Sequence, residues 1–438
     1  MAEKGTTLNQ GKEAVLQAEN YLLKRISECC HKFRTGTFFS DFSEGNDPLT
    51  WLSTVIWGLV NQHPESRFVQ GLLYIGVPAL PQDAMAVFFC LCELFLDKPL
   101  APADASAFET GYAQAVFDGG IEPLVGAGMV IAVAVNNPDE SRARKDIYLL
   151  SPEVCGSLFR GREYMIRPSI VAQFGTLVPW MSIRRTTLIY PDRLLERISL
   201  ITQAVSGNRY DQVVSELKEH GLRSGVTALL YGPPGTGKTE FVRQLALTTE
   251  RNLIQVDCAK LDATYFGEKP RNLRDFFRLA RYASAISVRV PIIFVDEADG
   301  LLGRRGENLR ASDKEENSNV NIILEELNTF SGILLAATNH IANLDPAMSR
   351  RFLLKVEFPV PDRAVLVQIW RLKLPWLTED EAGILAERFP LSAGVIDNVV
   401  GLCVLEKIVY GRNPSLEQIL RLCESQSHGS NPRKRIGF

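Results

Sequence analysis

Four runs of five or six mostly apolar residues, Val226 to Tyr231, Asn252 to Val256, Pro291 to Val295 and Gly332 to Ala337, punctuate the second half of the chain. Their continuity reads as strands buried on both faces. Between them, Asn272 to Ala283 and Val320 to Phe330 carry apolar residues at helical spacing. Strands alternating with helices imply an α/β fold with a parallel sheet and helices on both of its faces. Leu194 to Ser206 and Tyr210 to His220 predict two helices that lead into the first strand, and Pro168 to Pro191 reads as irregular. No strand pattern recurs after Pro361; four helices fit there, Asp362 to Leu372, Thr378 to Phe389, Ala393 to Tyr410 and Ser415 to Glu424. Thr378 with Glu381, and Ser415 with Gln418, have the spacing of capping boxes.

The first half is patterned differently. A polar lead gives way to a helix through Val15, Leu16, Tyr21, Leu22, Leu23 and Ile26, a loop-like stretch from Gly36 to Pro48, and a helix from Leu49 to Val60. From Ala84 the order resembles a small winged-helix module. It predicts a helix from Ala84 to Leu96, short helices at Pro102 to Phe108 and Ala113 to Phe117, a strand from Met129 to Val135, a second from Asp146 to Leu150, and a helix opening at Ser151-Pro152-Glu153. Serine before proline at the first helical position is a cap signal.

Charge limits what such a module does. The whole chain carries 48 Lys and Arg against 51 Asp and Glu, so no global field draws it to nucleic acid or anionic lipid. Between Ala84 and Met165 there are eleven acidic residues against six basic ones, and only Arg142, Arg144 and Lys145 give the wing a positive tip. DNA binding rests chiefly on neutralised phosphates, so the acidic balance favours a module that docks protein. The eight cysteines form no CxxC pair or zinc framework and read as reduced, buried thiols. Met1 to Lys12 has no apolar signal core, and the longest apolar runs, Ala84 to Cys92 and Pro123 to Val135, are too short to span a bilayer. The expectation is a cytoplasmic protein without a membrane partner.

Chemistry enters directly after the first buried strand. Gly232-Pro233-Pro234-Gly235-Thr236-Gly237-Lys238-Thr239 lies between that strand and an amphipathic helix through Arg243 and Leu247, the context a phosphate-binding loop requires. Its glycines let backbone N–H groups turn inward on a polyphosphate, the helix N-terminus adds partial positive charge, and Lys238 and Thr239 reach phosphate oxygens and Mg²⁺. The run Pro291 to Val295 then delivers Asp296 and Glu297 at its C-terminal end, where ligands of open α/β sheets bind. Asp296 suits Mg²⁺ positioning and Glu297 suits activation of a water, so ATP with Mg²⁺ is the expected ligand.

Gly232 to Thr239, the Asp296-Glu297-Ala298-Asp299 box, Ala336-Ala337-Thr338-Asn339 and Leu344-Asp345-Pro346-Ala347-Met348-Ser349-Arg350-Arg351-Phe352 resemble, in order, the Walker A, Walker B, sensor 1 and arginine-finger segments of an AAA ATPase. The resemblance covers Leu194 to Gly437 and is nearest to bacterial single-ring members with a divergent N-terminal region. It implies a homo-oligomeric, hexameric ring, in which Asn339 orients the attacking water from a strand between the two Walker strands. It also implies that Arg350 and Arg351 reach the γ-phosphate held by a neighbouring subunit. Thr264 to Glu268 resembles the family's pore loop, which makes Tyr265, Phe266 and Gly267 candidates for gripping a threaded polypeptide. Arg304 to Asn317 falls where a second pore loop would lie. Two features depart from the pattern. No Pro-Gly separates the finger arginines, and the lid segment Leu391 to Asn398 has no arginine to serve as sensor 2.

The resulting division is a helical region at 1–83, a winged-helix-like module and linker at 84–190, an α/β ATPase subdomain at 191–361, a helical lid at 362–425 and a basic tail at 426–438. The function expected is ATP-driven remodelling of a protein client. The alternatives are a nucleotide-controlled DNA-binding factor that reads through the winged-helix-like module, and an ATP-dependent assembly scaffold. The acidic balance argues against the first and Glu297 against the second.

Overall fold

A computed structural model describes residues 3–37, 47–97, 104–136, 144–161, 166, 168–207, 209–261, 268–299, 311–341 and 344–427. The chain divides into two compact units, 1–166 with 281–288, and 167–280 with 289–438. The helix Glu268–Ile286 supplies residues to both.

The first unit is built from the helices Glu3–Thr35, Pro48–Gln62, Arg67–Tyr74, Gln82–Asp97, Gly111–Gly126 and Pro152–Phe159, with an antiparallel hairpin of β1 (Val130–Asn136) and β2 (Arg144–Leu150). Asp47 caps the second of these helices by accepting from Thr50 N at 3.0 Å. Ser151 caps the last, with Pro152 at its first position. The division expected between residues 83 and 84 is not a break in packing. Ile26, Phe33, Ile56, Phe68, Phe88 and Phe117 share one core. Phe88 to Cys92 are all buried, and a helix that is apolar all round must be enclosed by neighbours on every side.

The stretch after residue 104 also differs from expectation. A 3₁₀ turn at Ala105–Ala107 replaces the first short helix, and the second extends to Gly111–Gly126, running through Gly119, Gly120 and Pro123. The glycine pair does not end the helix; it permits close approach. A Cβ on Gly120 would stand 2.6 Å from the Asp83 carbonyl oxygen.

The second unit holds a six-stranded sheet in the order β3-β5-β6-β7-β4-β8, made of β3 (Gly175–Val178), β4 (Val226–Tyr231), β5 (Leu253–Val256), β6 (Ile292–Val295), β7 (Ile333–Thr338) and β8 (Leu354–Glu357). All neighbours are parallel except β3, which runs antiparallel to β5. β3 lies in the segment expected to be irregular. The helices Asp192–Val205, Lys238–Thr249, Glu268–Ile286 and Ala311–Thr329 accompany the sheet. After β8 the helices Arg363–Lys373, Glu379–Arg388, Ala393–Tyr410 and Leu416–Ser427 enclose Trp370, Leu385, Ile396, Cys403 and Ile419. The Thr378/Glu381 capping box is formed, and Ser415 and Gln418 exchange bonds of 2.9 and 3.4 Å.

Arg251 is a buried cation in this unit. It donates to the carbonyls of Val205 at 2.7 Å, Val290 at 2.8 Å and Gly207 at 3.4 Å, and its guanidinium lies 5.1 Å from the Tyr210 ring. It ties the end of one helix to the entrance of β6. Arg251→Met keeps the stem but removes every donor, and is expected to destabilise the protein by roughly 2–4 kcal/mol, seen as a melting temperature about 5–10 °C lower.

None of the eight cysteines forms a disulfide, and seven of them are buried. Burial pushes the Cys30, Cys92 and Cys155 thiols well above their usual range, which keeps them protonated and unreactive. Among the described residues no helix is long and apolar enough to cross a membrane.

Candidate active site

The loop between β4 and the helix Lys238–Thr249 starts from a position only glycine can hold. Gly232 leaves the strand at φ 147°, and a Cβ there would meet the Phe358 carbonyl oxygen at 2.1 Å. The crowding reflects how β8 and its extension are fastened beside β4, with Phe358 N donating to Tyr231 O at 2.7 Å. Gly235 and Gly237, at φ 76° and 94°, turn the loop back toward the helix, and the Tyr190 hydroxyl donates to Gly237 O at 3.2 Å. Lys238 is buried at the helix start, and its Nζ donates to Gly232 O at 2.7 Å and Pro233 O at 2.9 Å. Burial lowers its pKa, while the Asp296 and Asp299 carboxylates act against that shift. Neutral carbonyls are weaker partners for an ammonium than phosphate oxygens, so the loop is ready to exchange them for a polyphosphate.

β6 ends beside this loop. Asp296 accepts from Thr239 Oγ1 at 2.7 Å and from Glu297 N at 3.0 Å. A hydroxyl and a carboxylate in contact, both hard oxygen donors, fit the ligand set of Mg²⁺. Glu297 is exposed and takes φ 49°, a left-handed conformation that is uncommon for a residue with a side chain. Asn339 follows the end of β7, and β7 lies between β6 and β4 in the sheet.

These residues meet in one cavity of about 640 Å³. Pro234 to Thr239, Asp296, Glu297 and Asn339 line it, while Gly232 and Pro233 do not. The rest of the wall lies outside the phosphate loop and the ends of β6 and β7. Thr186 to Pro191 run along one side, and Ile369, Leu372, Lys373, Gly394 and Asp397 contribute from the lid helices. Gly394 N donates to Gly235 O at 2.9 Å, which joins the lid to the phosphate loop. Lys373 Nζ pairs with Asp397 Oδ1 at 2.7 Å, so the lid does present a cation at the cavity although it lacks an arginine there. The two residues lie on different helices, and nothing in their local sequence marks them as partners.

Arg350 and Arg351 are not in this wall. They follow the short helix Pro346–Ser349 near the start of β8, where Arg223 Nη1 donates to Arg351 O at 2.9 Å and Thr227 Oγ1 to the same oxygen at 3.3 Å. Arg350 is exposed and Arg351 half-buried. Tyr265, Phe266 and Gly267, Arg304 to Arg310, and the tail beyond Ser427 lie outside the described residues.

A glycine loop after β4, paired carboxylates after β6 and an asparagine after β7, the strand between them, on a mostly parallel sheet with a four-helix lid, define a nucleotide-hydrolysing P-loop domain. Residues 228–360 match the ATPase family associated with various cellular activities (AAA), so the chain carries the domain of an AAA ATPase. Regulatory subunit 6A of the 26S proteasome of Saccharomyces cerevisiae is 31% identical over 229 residues, 50% of this chain and 51% of that protein. The subunit 6B homolog of Aspergillus niger is 34% identical over 214 residues, 45% and 49% of the two chains. The 6B homolog of Encephalitozoon cuniculi is 38% identical over 144 residues, 31% and 35%. The chain thus spans about half or less of the length of these curated relatives. A chain in the structure of an E. coli MS115-1 HORMA:CdnC:Trip13 complex matches 58% of this chain and 96% of its own length, at a TM-score of 0.46 and 17% identity.

Proposed function

We propose that this protein is an ATP-hydrolysing, ring-forming machine that remodels a protein client. The observation that carries the reading is a division within one chain. The cavity brings together Lys238, Thr239, Asp296, Glu297 and Asn339, while Arg350 and Arg351 lie outside it. In this reading the loop N–H groups and Lys238 hold the β- and γ-phosphates of ATP, and Thr239 and Asp296 hold Mg²⁺, which neutralises phosphate charge when bound. Asp296 is already engaged by two hydrogen bonds and stays a ligand, whereas exposed Glu297 is free to take the proton of the attacking water on a carboxylate oxygen. Asn339 orients that water. The missing positive charge comes from Arg350 and Arg351 of a neighbouring copy. That is why a homo-oligomer, hexameric by resemblance, is part of the reading.

The remodelling half of the proposal rests on Tyr265, with Phe266 and Gly267, as a pore loop that grips backbone and apolar bulk without sequence preference. The acidic N-terminal module is proposed to dock protein rather than nucleic acid. Casein, a polypeptide without a stable fold, serves as a test client. Wild-type hydrolysis is expected to rise on adding casein, and Tyr265→Ala to keep the basal rate and melting temperature while losing the rise. A variant that instead melts much earlier and loses basal activity in proportion places Tyr265 in a core, where its deletion costs roughly 3–5 kcal/mol, and removes the pore-loop reading.

A further inference from the structure

We propose that Thr338 and Asp299 form a positioning clamp that fixes Glu297 and Asn339 relative to the phosphate loop. The proposal rests on the ATPase reading above and assigns roles to two residues that the reading does not use.

Hydrogen bonds from three segments converge on the C-terminal end of β7. The Gly232 N–H donates to Thr338 O at 3.3 Å, tying the first glycine of the phosphate loop to this strand. The Ala298 N–H donates to Ala337 O at 2.8 Å, tying down the residue after Glu297. The Thr338 hydroxyl donates to Asp299 Oδ1 and accepts from His340 N at 2.9 Å. Thr338 is buried, so a side chain there that can neither donate nor accept would leave both partners unmatched. A single residue therefore bonds to the loop that holds phosphate, to the segment that carries the base, and to the amide just beyond Asn339.

The arrangement has a consequence for Glu297. Among the described residues only Glu250 and Glu297 combine a side chain with positive φ, and a strained backbone persists only when its surroundings over-determine it. The carboxylates on either side of Glu297 supply that constraint. Asp296 is held by Thr239, and Asp299, three residues further on, is held by Thr338. Releasing Asp299 frees one end of the strained turn, and releasing Thr338 also frees the amide that closes the turn around Asn339. Both changes misplace the groups that handle water. Neither change removes a hydrogen bond made by Lys238, and Asp296 still supports the Lys238 charge when Asp299 is lost, so binding of ATP is predicted to survive.

The test compares kcat and KM for Mg²⁺-ATP, together with thermal melting, in Thr338→Val, Thr338→Ser, Asp299→Ala and the Thr338→Val/Asp299→Ala double variant. Thr338→Val is expected to lose on the order of 10²-fold in kcat with KM within about threefold of wild type, because a misplacement near 1 Å costs about that much. Thr338→Ser, which restores the hydroxyl, should return kcat to within about threefold. Asp299→Ala should lose kcat in the same way, and the double variant should be no slower than the slower single one, as coupled residues require. Asp299 is half-exposed, so its variant carries the test if the buried Thr338→Val fails to fold. A Thr338→Val or Asp299→Ala protein that melts earlier yet turns over at the wild-type rate overturns the clamp. So do losses that multiply in the double variant, or a raised KM with kcat unchanged. A wild-type protein without ATP turnover overturns the ATPase reading and the clamp with it.

Discussion

Glu297→Gln is expected to bind ATP like the wild type and to hydrolyse it about 10²–10⁴-fold more slowly, the loss that follows removal of a general base. The amide keeps the size of the carboxylate and leaves Asp296 engaged with Thr239, so the glycine loop and the Thr239–Asp296 pair are undisturbed. It cannot accept the proton of the attacking water. Lys238→Ala is the contrasting case. Its ammonium is buried among loop carbonyls and is the side-chain cation at the start of the phosphate-binding helix, so its loss is expected to abolish binding itself. Equilibrium binding of a fluorescent ATP analogue and steady-state release of phosphate separate the two phenotypes. Near-normal turnover by Glu297→Gln would remove Glu297 from the reaction. Tight binding by Lys238→Ala would show that the nucleotide lies elsewhere.

The parts of this site that were legible in the sequence are those whose chemistry is local. The phosphate loop is a contiguous octet, and Asp296 and Glu297 adjoin a strand whose apolar run announces its own burial. Both required only neighbouring residues to interpret. The lid helices were legible for a similar reason, since Thr378 and Glu381 cap a turn they both belong to. β3 was not. It has four residues, begins at a glycine and owes its conformation to pairing with β5, far along the chain. A Cβ on Gly175 would meet the Gln255 carbonyl oxygen at 2.0 Å, so a glycine there is a condition of the pairing. The wall from Thr186 to Pro191 and the Lys373–Asp397 pair are likewise products of tertiary packing, with no periodicity or motif to reveal them. Thr338 lies between the two cases. It stands beside Asn339 in a recognisable segment, but its partners Asp299 and Gly232 are brought to it only by the strand order β6-β7-β4.

Arg351→Ala and Arg350→Ala are expected to leave nucleotide binding intact and to lower hydrolysis strongly, by as much as about 10³-fold where an arginine finger is the missing group. The cavity wall contains the cations Lys238, Arg243 and Lys373, and neither Arg350 nor Arg351 reaches it within the same chain. If a neighbour supplies them, a mixture of Arg351→Ala and Glu297→Gln subunits regains activity that neither has alone. In a head-to-tail ring the first mutant would provide an intact base and the second an intact finger. With equal amounts and random order, about a quarter of the interfaces pair them productively, which sets the expected recovery at roughly that share of the wild-type rate. Activity per subunit should also rise with protein concentration until rings saturate. Subunits that demonstrably co-assemble without recovering activity would place the arginines' action within their own chain or outside hydrolysis altogether. Action within the same chain would require the segment between Met348 and Leu354 to move into its own cavity, away from the Arg223 and Thr227 bonds that now hold Arg351 O beside β4.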